Sequence, residues 1–443
     1  MDFFISLLRG MLGLVVILGI ALLFSNNRRK IKWRTVGAGL LLQTILAIFI
    51  LKGAAMGEFF APLGWPKAFF KWISGFFVLV LQFTIEGAKF IFGDLAVNPS
   101  NEGTFFAFQI LPTIIFFGAL MAVLYHLGIM QYVVQSMAWL VRRILGTSGA
   151  ESLSVTANIF VGQTEAPLVI RPYLEKMTYS ELMAVMTGGM ATIAGGVMAA
   201  YIAILGNAVA QAQGIDLAAA QLFFAEQLLG ASLMAAPAAL ALAKIMIPEI
   251  GQPETTGDVR IQLEKTTKNV IDAAASGAGD GLQLALNVGA MLIAFLALIA
   301  MLNYFLGQAA GLFGVELSIE MLLGWGLAPI AWLMGVPWAD AVQFGSLLGT
   351  KVVVNEFVAY LELAKIIAAG EGVTPFVSAK TTVMATFALC GFANFSSIAI
   401  QIGGIGPLAP MRTSELAQLG LRAVLAATLA NMMTATIAGV LVA

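Results

Sequence analysis

The chain has 443 residues, 23 basic and 24 acidic side chains, one histidine and a formal net charge of −1. Hydrophobic residues make up 60% of it, charged residues 11%, and mean hydropathy is +0.93. That is too little charge to coat a soluble domain, it offers nothing to attract nucleic acid, and the lone Cys390 excludes a disulfide framework or a Cys-based metal cluster.

The composition implies an all-α integral membrane protein. A crossing helix needs about 20 apolar residues, and such stretches run over 4–24, 35–52, 104–126, 181–205, 221–247, 282–306, 380–403 and 418–442. The apolar stretch 72–92 is interrupted by Glu86 and Lys89 and reads as an interfacial helix. The first segment has no basic leader or small-residue cleavage site, and basic residues follow it, so we read it as a span. His126 closes its predicted span and reads as an interfacial side chain, not a ligand.

Basic loops mark the cytoplasmic face. Arg28, Arg29, Lys30, Lys32 and Arg34 follow the first span, which places the N-terminus outside. Arg142, Arg143, Arg260, Lys265, Lys268 and Arg412 then fall inside. Lys365 and Lys380 fall outside against the trend, and an even number of spans returns the C-terminus to the outer, periplasmic face.

Feature order also repeats. "AWLVRRILGTSGAES" at 138–152 answers "AWLMGVPWADA" at 331–341, and a Gly-containing polar tip follows each. "MTGGMATIAGGVMAAY" at 186–201 then answers "MATFALCGFANFSSIA" at 384–399. Each unit reads as span, interfacial helix, polar-tipped hairpin, Gly-broken span and span. Three crossings per unit turn the second copy upside down. The division is N-terminal scaffold helices over 1–103, a first inverted repeat over 104–247, a polar linker with an interfacial helix over 248–281, and a second repeat over 282–443. Inverted repeats with matching interruptions point to the binding site of a secondary transporter.

The polar tips carry the chemistry. Residues 148–175 could span once, yet their middle holds Asn158, Gly162, Gln163, Thr164, Glu165 and Pro167. A lipid-facing helix does not tolerate that set, whereas a re-entrant hairpin buried in protein does. A second hairpin over 337–365 places Asn355 and Glu356 at its tip. In the broken spans, Thr192 and Ile193 lie among glycines, and Phe392, Asn394 and Ser397 lie in an apolar helix, the last two three residues apart on one face. Simpler readings stand beside these: Ser396 bonding back to its own helix, Phe392 as packing, and Glu165 or Glu356 in an internal ion pair with Lys351 or Arg171. A channel would need pore rings repeated by symmetry, which two unlike tips do not supply. A membrane-embedded hydrolase would need a nucleophile–base pair or metal cluster, and none is legible, so we expect no enzyme.

"GQTEAPLVIRPYL" at 162–174, "NEFVAYLEL" at 355–363, "GFANFSSIAIQIGG" at 391–404 and the following "GPLAPMR" resemble the concentrative nucleoside transporter family. The resemblance runs from about residue 100 to the end. It implies a homotrimer in a bacterial inner membrane that imports nucleosides such as uridine on an ion gradient. Carried over, it sets Gln163, Thr164, Glu165 and Val197 at the nucleobase, Glu356, Asn394 and Ser397 at the ribose hydroxyls, and Phe392 beside the sugar. The family's sodium site matches the side chains of Asn158 and Thr192 and the carbonyls of Val161 and Ile193, with Thr192 where Ser is common. Some bacterial members use protons instead, so sodium is the expected coupling ion and a proton the alternative.

Overall fold

The computed structural model describes residues 2–96, 106–255, 267–312, 314–315, 317–369 and 374–442. Arg260, Lys265 and the first two residues of the 104–126 span lie outside the described residues, as does the junction at 103/104. The chain opens with α1 (Asp2–Leu23) and α2 (Trp33–Ala47), and a π-helical turn leads on into α3 (Gly53–Phe59). The next helix, α4 (Ala61–Phe92), packs back on α3. Gly57 and Gly64 allow this: a Cβ on Gly57 would lie 2.9 Å from the Gly64 Cα. The 72–92 stretch is therefore part of a 32-residue helix long and apolar enough to cross, not a separate interfacial helix. At about 48 Å it outreaches the hydrocarbon core, so Glu86 and Lys89 sit exposed in its last two turns.

A single short turn, α5 (Phe106–Gln109), precedes α6 (Leu111–His126). The following α7 (Ile129–Leu145) buries Met130, Val134, Ala138, Val141 and Leu145, one stripe at helical spacing, and exposes Tyr132, Trp139 and Arg143. Then come α8 (Gly149–Ala157), a 3₁₀ helix (Ala166–Lys176), α9 (Tyr179–Ala191), α10 (Gly195–Gln213) and α11 (Leu217–Met246). The second half opens with α12 (Val270–Gly311), one unbroken helix of 42 residues. Residues 270–281 are thus the start of that same helix, not a separate element before it. Its glycines serve packing: Gly277 and Gly281 admit α6, and a Cβ on Gly281 would stand 2.8 Å from the Ile114 carbonyl oxygen. The remainder is α13 (Ile319–Leu333), α14 (Trp338–Val353), α15 (Glu356–Ile367), α16 (Ala379–Leu389), α17 (Ser396–Ile405) and α18 (Thr413–Val442).

Eight helical segments among the described residues are long and apolar enough to cross a membrane. The expected span at 380–403 is not one of them, because α16 and α17 have only 11 and 10 residues and residues 390–395 separate them. The core is built on α11 and α18, which pack on each other and on α2, α9 and α16. The Ala-rich run at 231–243 in α11 is buried throughout except Leu233, since small side chains let helices approach closely.

With α1 as a ruler of about 33 Å, the two ends of the bundle can be told apart. Beside its C-terminal end, the Asn26 N–H donates to the Met246 carbonyl (3.0 Å). There Lys244 pairs with Glu151 (2.7 Å), and Arg412 reaches the Met177 carbonyl (2.6 Å). Beside its N-terminal end, Arg9 donates to the carbonyls of Trp332 and Val336 (2.8 Å each) and Lys380 to Ser6 (2.6 Å). The unit of α8 and the 3₁₀ helix therefore starts at one end and α14–α15 at the other. Arg28, Arg29, Lys30, Arg142 and Arg143 gather at the first end, in keeping with one basic face.

Candidate functional site

Two capping boxes launch the first tip. Ser148 and Glu151 cap α8, and Thr178 and Glu181 cap α9, each hydroxyl accepting an N–H that the glutamate's return bond completes. The Ser148 hydroxyl also donates to Glu181, tying the two starts together. Helix α8 then lasts nine residues, about 14 Å, before Asn158 caps it and a turn follows. The return arm is a 3₁₀ helix of 11 residues. Pro167 and Pro172 donate no N–H, which favours the tighter winding. The tip is crowded: a Cβ on Gly404 would lie 2.6 Å from Thr164 Cγ2.

The second tip is more regular. α14 runs to Val353, and Asn355 caps α15 by accepting the Val358 N–H at 2.9 Å. That cap sets Glu356 in the first turn of α15, buried at 6% exposure. Its carboxylate accepts from Asn394 Nδ2 at 2.8 Å and from the Tyr201 hydroxyl at 3.1 Å. The break between α16 and α17 turns at Gly391, whose φ of +155° disfavours a side chain. Asn394 Oδ1 accepts from the Ser397 N–H (2.9 Å) and the Ser396 hydroxyl (2.7 Å), so Ser396 serves Asn394 and does not bond back to its helix.

The two tips meet through this segment. Gln163 Nε2 donates to Ser397 Oγ at 3.1 Å, and Gln163 Oε1 accepts from Gln401 Nε2 at 3.1 Å. A continuous chain of bonds therefore runs from Gln163 through Ser397 and Asn394 to Glu356 and Tyr201. Every one of these side chains is buried. Val197 lies buried in the first turn of α10, and Phe392 and Thr164 are half-buried. Glu165 stands apart: it is exposed and accepts from the Thr164 hydroxyl at 2.9 Å. Neither tip glutamate takes Lys351 as a partner, because its ammonium donates instead to the Ala388 carbonyl (2.8 Å) and Asn431 Oδ1 (2.6 Å). Tyr201, Gln401 and Asn431 were not among the expected residues, although a lone amide in an apolar helix is a signal that flags Gln401 and Asn431.

Of the expected ion ligands, the side chains of Asn158 and Thr192 meet. Asn158 Nδ2 faces the carbonyls of Gly188 (3.2 Å) and Gly189 (3.1 Å) and the Thr192 hydroxyl. Three oxygens thus surround one group at the end of α9, where a half-helix presents its negative pole. Asn158 Oδ1 is buried with no hydrogen-bond partner. Turned over, this amide would bring that oxygen into the same cluster, a donor set suited to a hard cation. Ile193 is fully buried beside it and Val161 half-buried at the end of the α8 turn. Among the described residues no cluster of His, Cys, Asp and Glu offers a transition-metal site.

Three family models match the chain. "Na+ dependent nucleoside transporter C-terminus" covers residues 227–439, its N-terminal counterpart 12–95, and "Nucleoside recognition" 107–208. An uncharacterized transporter, YutK, of Bacillus subtilis is 47% identical over 99% of this chain and 100% of its own. Sodium/nucleoside cotransporter 1 of Rattus norvegicus is 40% identical over 97% of this chain, which spans 63% of that longer protein. The structure of CNTnw in an inward-facing substrate-bound state superposes with a TM-score of 0.86 at 41% identity, covering 99% of both chains. An outward-facing structure of a CNTnw variant gives 0.87 at the same identity, over 99% of this chain and 98% of its own. With matches along nearly its whole length, this chain belongs to the concentrative nucleoside transporter family.

Proposed function

We propose that this protein is a sodium-driven nucleoside symporter, taking nucleosides such as uridine inward across a bacterial inner membrane. The observation that carries the reading is the buried relay from Gln163 to Glu356, which joins tips entering from opposite ends of the bundle. A ligand seated there touches both. Its side chains suit a neutral solute with a flat base and a hydroxylated sugar. Gln163 and Thr164 offer both donors and acceptors to a base edge, with Val197 as an apolar wall. Glu356 accepts ribose hydroxyls in charge-assisted bonds, and Asn394 and Ser397 extend that polar face. Phe392 flanks the sugar. A sodium ion held by Asn158, Thr192 and the carbonyls of Val161 and Ile193 would sit beneath the first tip and favour the same closed arrangement as the solute.

In this reading the two re-entrant tips and the broken helices form the mobile part of each protomer, and the N-terminal helices belong to the scaffold. The basic end of the bundle faces the cytoplasm, and both termini lie outside. Three copies assemble as the family resemblance implies, with the wide apolar face that α12 leaves exposed turned to lipid or neighbour. No catalysis is involved. Uptake of labelled uridine and adenosine into proteoliposomes tests the reading, with inward sodium, inward proton or no gradient. We expect accumulation only with sodium. Accumulation that follows the proton gradient alone replaces sodium with a proton, and no nucleoside accumulation under any gradient overturns the assignment.

A further inference from the structure

The two breaks are built alike, yet only one is provided with its own positive charge. Asn158 lies five residues before Gln163, and Lys351 five before Glu356. Each reaches from its hairpin to the last-turn carbonyls of the facing half-helix: Asn158 to Gly188 and Gly189 of α9, Lys351 to Ala388 of α16. Such carbonyls lack partners within their own helix and carry its negative pole. In the first repeat the group that meets them is a neutral amide with an orphaned oxygen. In the second it is an ammonium, 1% exposed, which also donates to Asn431 Oδ1. No carboxylate among the described residues is within ion-pair distance of it; the nearby acid of the same tip, Glu356, is held by Tyr201 and Asn394.

We propose that the Lys351 ammonium is a tethered cation, filling in the second repeat the place that a free sodium ion takes in the first. A half-helix ending in the membrane interior needs a positive charge at its carbonyl end. The first break takes that charge from solution, so its closure reports the ion gradient. The second carries it covalently, so its tip stays set around Glu356 whatever the ion concentration. Asn431 makes the comparison concrete, since its Nδ2 donates to the last carbonyl of α9, on Ala191 (2.7 Å), and to the Cys390 carbonyl beyond α16 (2.8 Å). One side chain thus spans both breaks and passes its remaining oxygen to Lys351. Lys351 is a positioning residue in this account, and only the comparison between repeats rests on the sodium reading.

Two variants test the charge itself. Lys351→Gln keeps N–H donors for Ala388 and Asn431 without the charge, and Lys351→Ala removes what propylammonium can replace. We expect uridine binding to purified Lys351→Gln to weaken at least about tenfold, the loss of a charge-assisted interaction. Lys351→Ala should regain uridine binding and melting temperature in propylammonium chloride but not in equal propanol. Without amine, its uptake should rise more steeply with sodium than the parent's, as a second ion enters. Uridine binding by Lys351→Gln within about twofold of the parent overturns the proposal. So does a Lys351→Ala protein, folded or not, that propylammonium improves no more than propanol. A parent that ignores sodium would remove the ion of the first repeat and leave the glutamine and amine arms to decide the charge of the second.

Discussion

Replacing Glu356 by glutamine separates the ribose-reading role from the structural one. The carboxylate is buried and accepts two bonds, from Asn394 Nδ2 at 2.8 Å and Tyr201 at 3.1 Å. Glutamine keeps both partners satisfied: its Oε1 accepts from Asn394, and its Nε2 donates to the Tyr201 hydroxyl, which rotates to accept. The fold should therefore survive, with a melting temperature in detergent close to the parent's. What is lost is the charge that a ribose hydroxyl meets. A hydrogen bond to a charged group contributes about 1.5–3 kcal/mol, so uridine affinity should fall about 10- to 150-fold. Titration calorimetry with uridine and its 2′- and 3′-deoxy analogues gives the assay. The parent should discriminate strongly against whichever analogue lacks the hydroxyl that Glu356 reads, and Glu356→Gln should lose most of that discrimination. A folded Glu356→Gln protein that binds uridine as tightly as the parent, or discriminates equally well, refutes the ribose assignment.

Tyr201→Phe removes one donor from Glu356 but leaves the ring against Tyr360 (centroids 4.3 Å apart) and Phe357 (5.1 Å). Uridine affinity should drop about five- to tenfold with little change in melting temperature, since about 1–1.5 kcal/mol of positioning is lost; unchanged affinity would detach Tyr201 from the site. Asn158→Ala and Thr192→Ala should each raise the sodium concentration for half-maximal uptake and weaken uridine binding at low sodium, because linked ligands affect each other equally. Normal sodium dependence in both variants removes the ion site. Gly391→Ala should melt several degrees lower and lose uptake, since its φ is +155° and its Cβ would fall 2.5 Å from Asn431 Oδ1 and 2.6 Å from the Ala191 carbonyl, strain of about 1–3 kcal/mol. Parent-like melting contradicts that packing.

Much of this was legible because membrane helices write their periodicity and interruptions openly. Asn158, Gln163, Thr192, Glu356, Asn394 and Ser397 are polar residues that no lipid-facing helix tolerates, and the structure buries all of them at the two tips and breaks. The misreadings have equally physical causes. Glu86 and Lys89 interrupt an apolar window but sit exposed in the last two turns of a 32-residue helix, so charge within a window does not by itself mark an interfacial helix. Gly277 and Gly281 look like linker residues until α6 packs on them. Tyr201 follows "GGVMAA" in an unremarkable apolar run, and only the approach of α15 to α10 gives its hydroxyl a partner. Glu165 shares its tip with Gln163 yet faces outward, because which way a side chain leaves a turn depends on backbone angles that residue spacing does not encode.

The bonds at the centre are unequal, and the inequality indicates which of them yield to a solute. The two breaks are joined by Asn431, which bonds to Ala191 and Cys390, and by the Phe392 N–H directed at the Thr192 carbonyl (3.4 Å). Separating them strands buried backbone groups that nothing else in the membrane interior satisfies, a cost of about 1–3 kcal/mol for each. The tips are joined to the breaks differently. At the tips themselves Gln163 meets Ser397, and Glu356 meets Asn394, through side-chain bonds at 3.1 and 2.8 Å, whereas the arms behind them also hold the breaks by backbone bonds, from the Gly195 N–H to the Phe160 carbonyl (3.0 Å) and from the Phe395 N–H to the Val352 carbonyl (3.1 Å). A nucleoside carries hydroxyls and a base edge able to replace those partners one for one, and such an exchange is nearly neutral in free energy. The exchangeable bonds are thus those of the tip side chains, so a solute replaces them there while the backbone bonds keep the arms and the breaks coupled. The chemistry that recognises the solute and the mechanics that admit it then reside in the same few side chains.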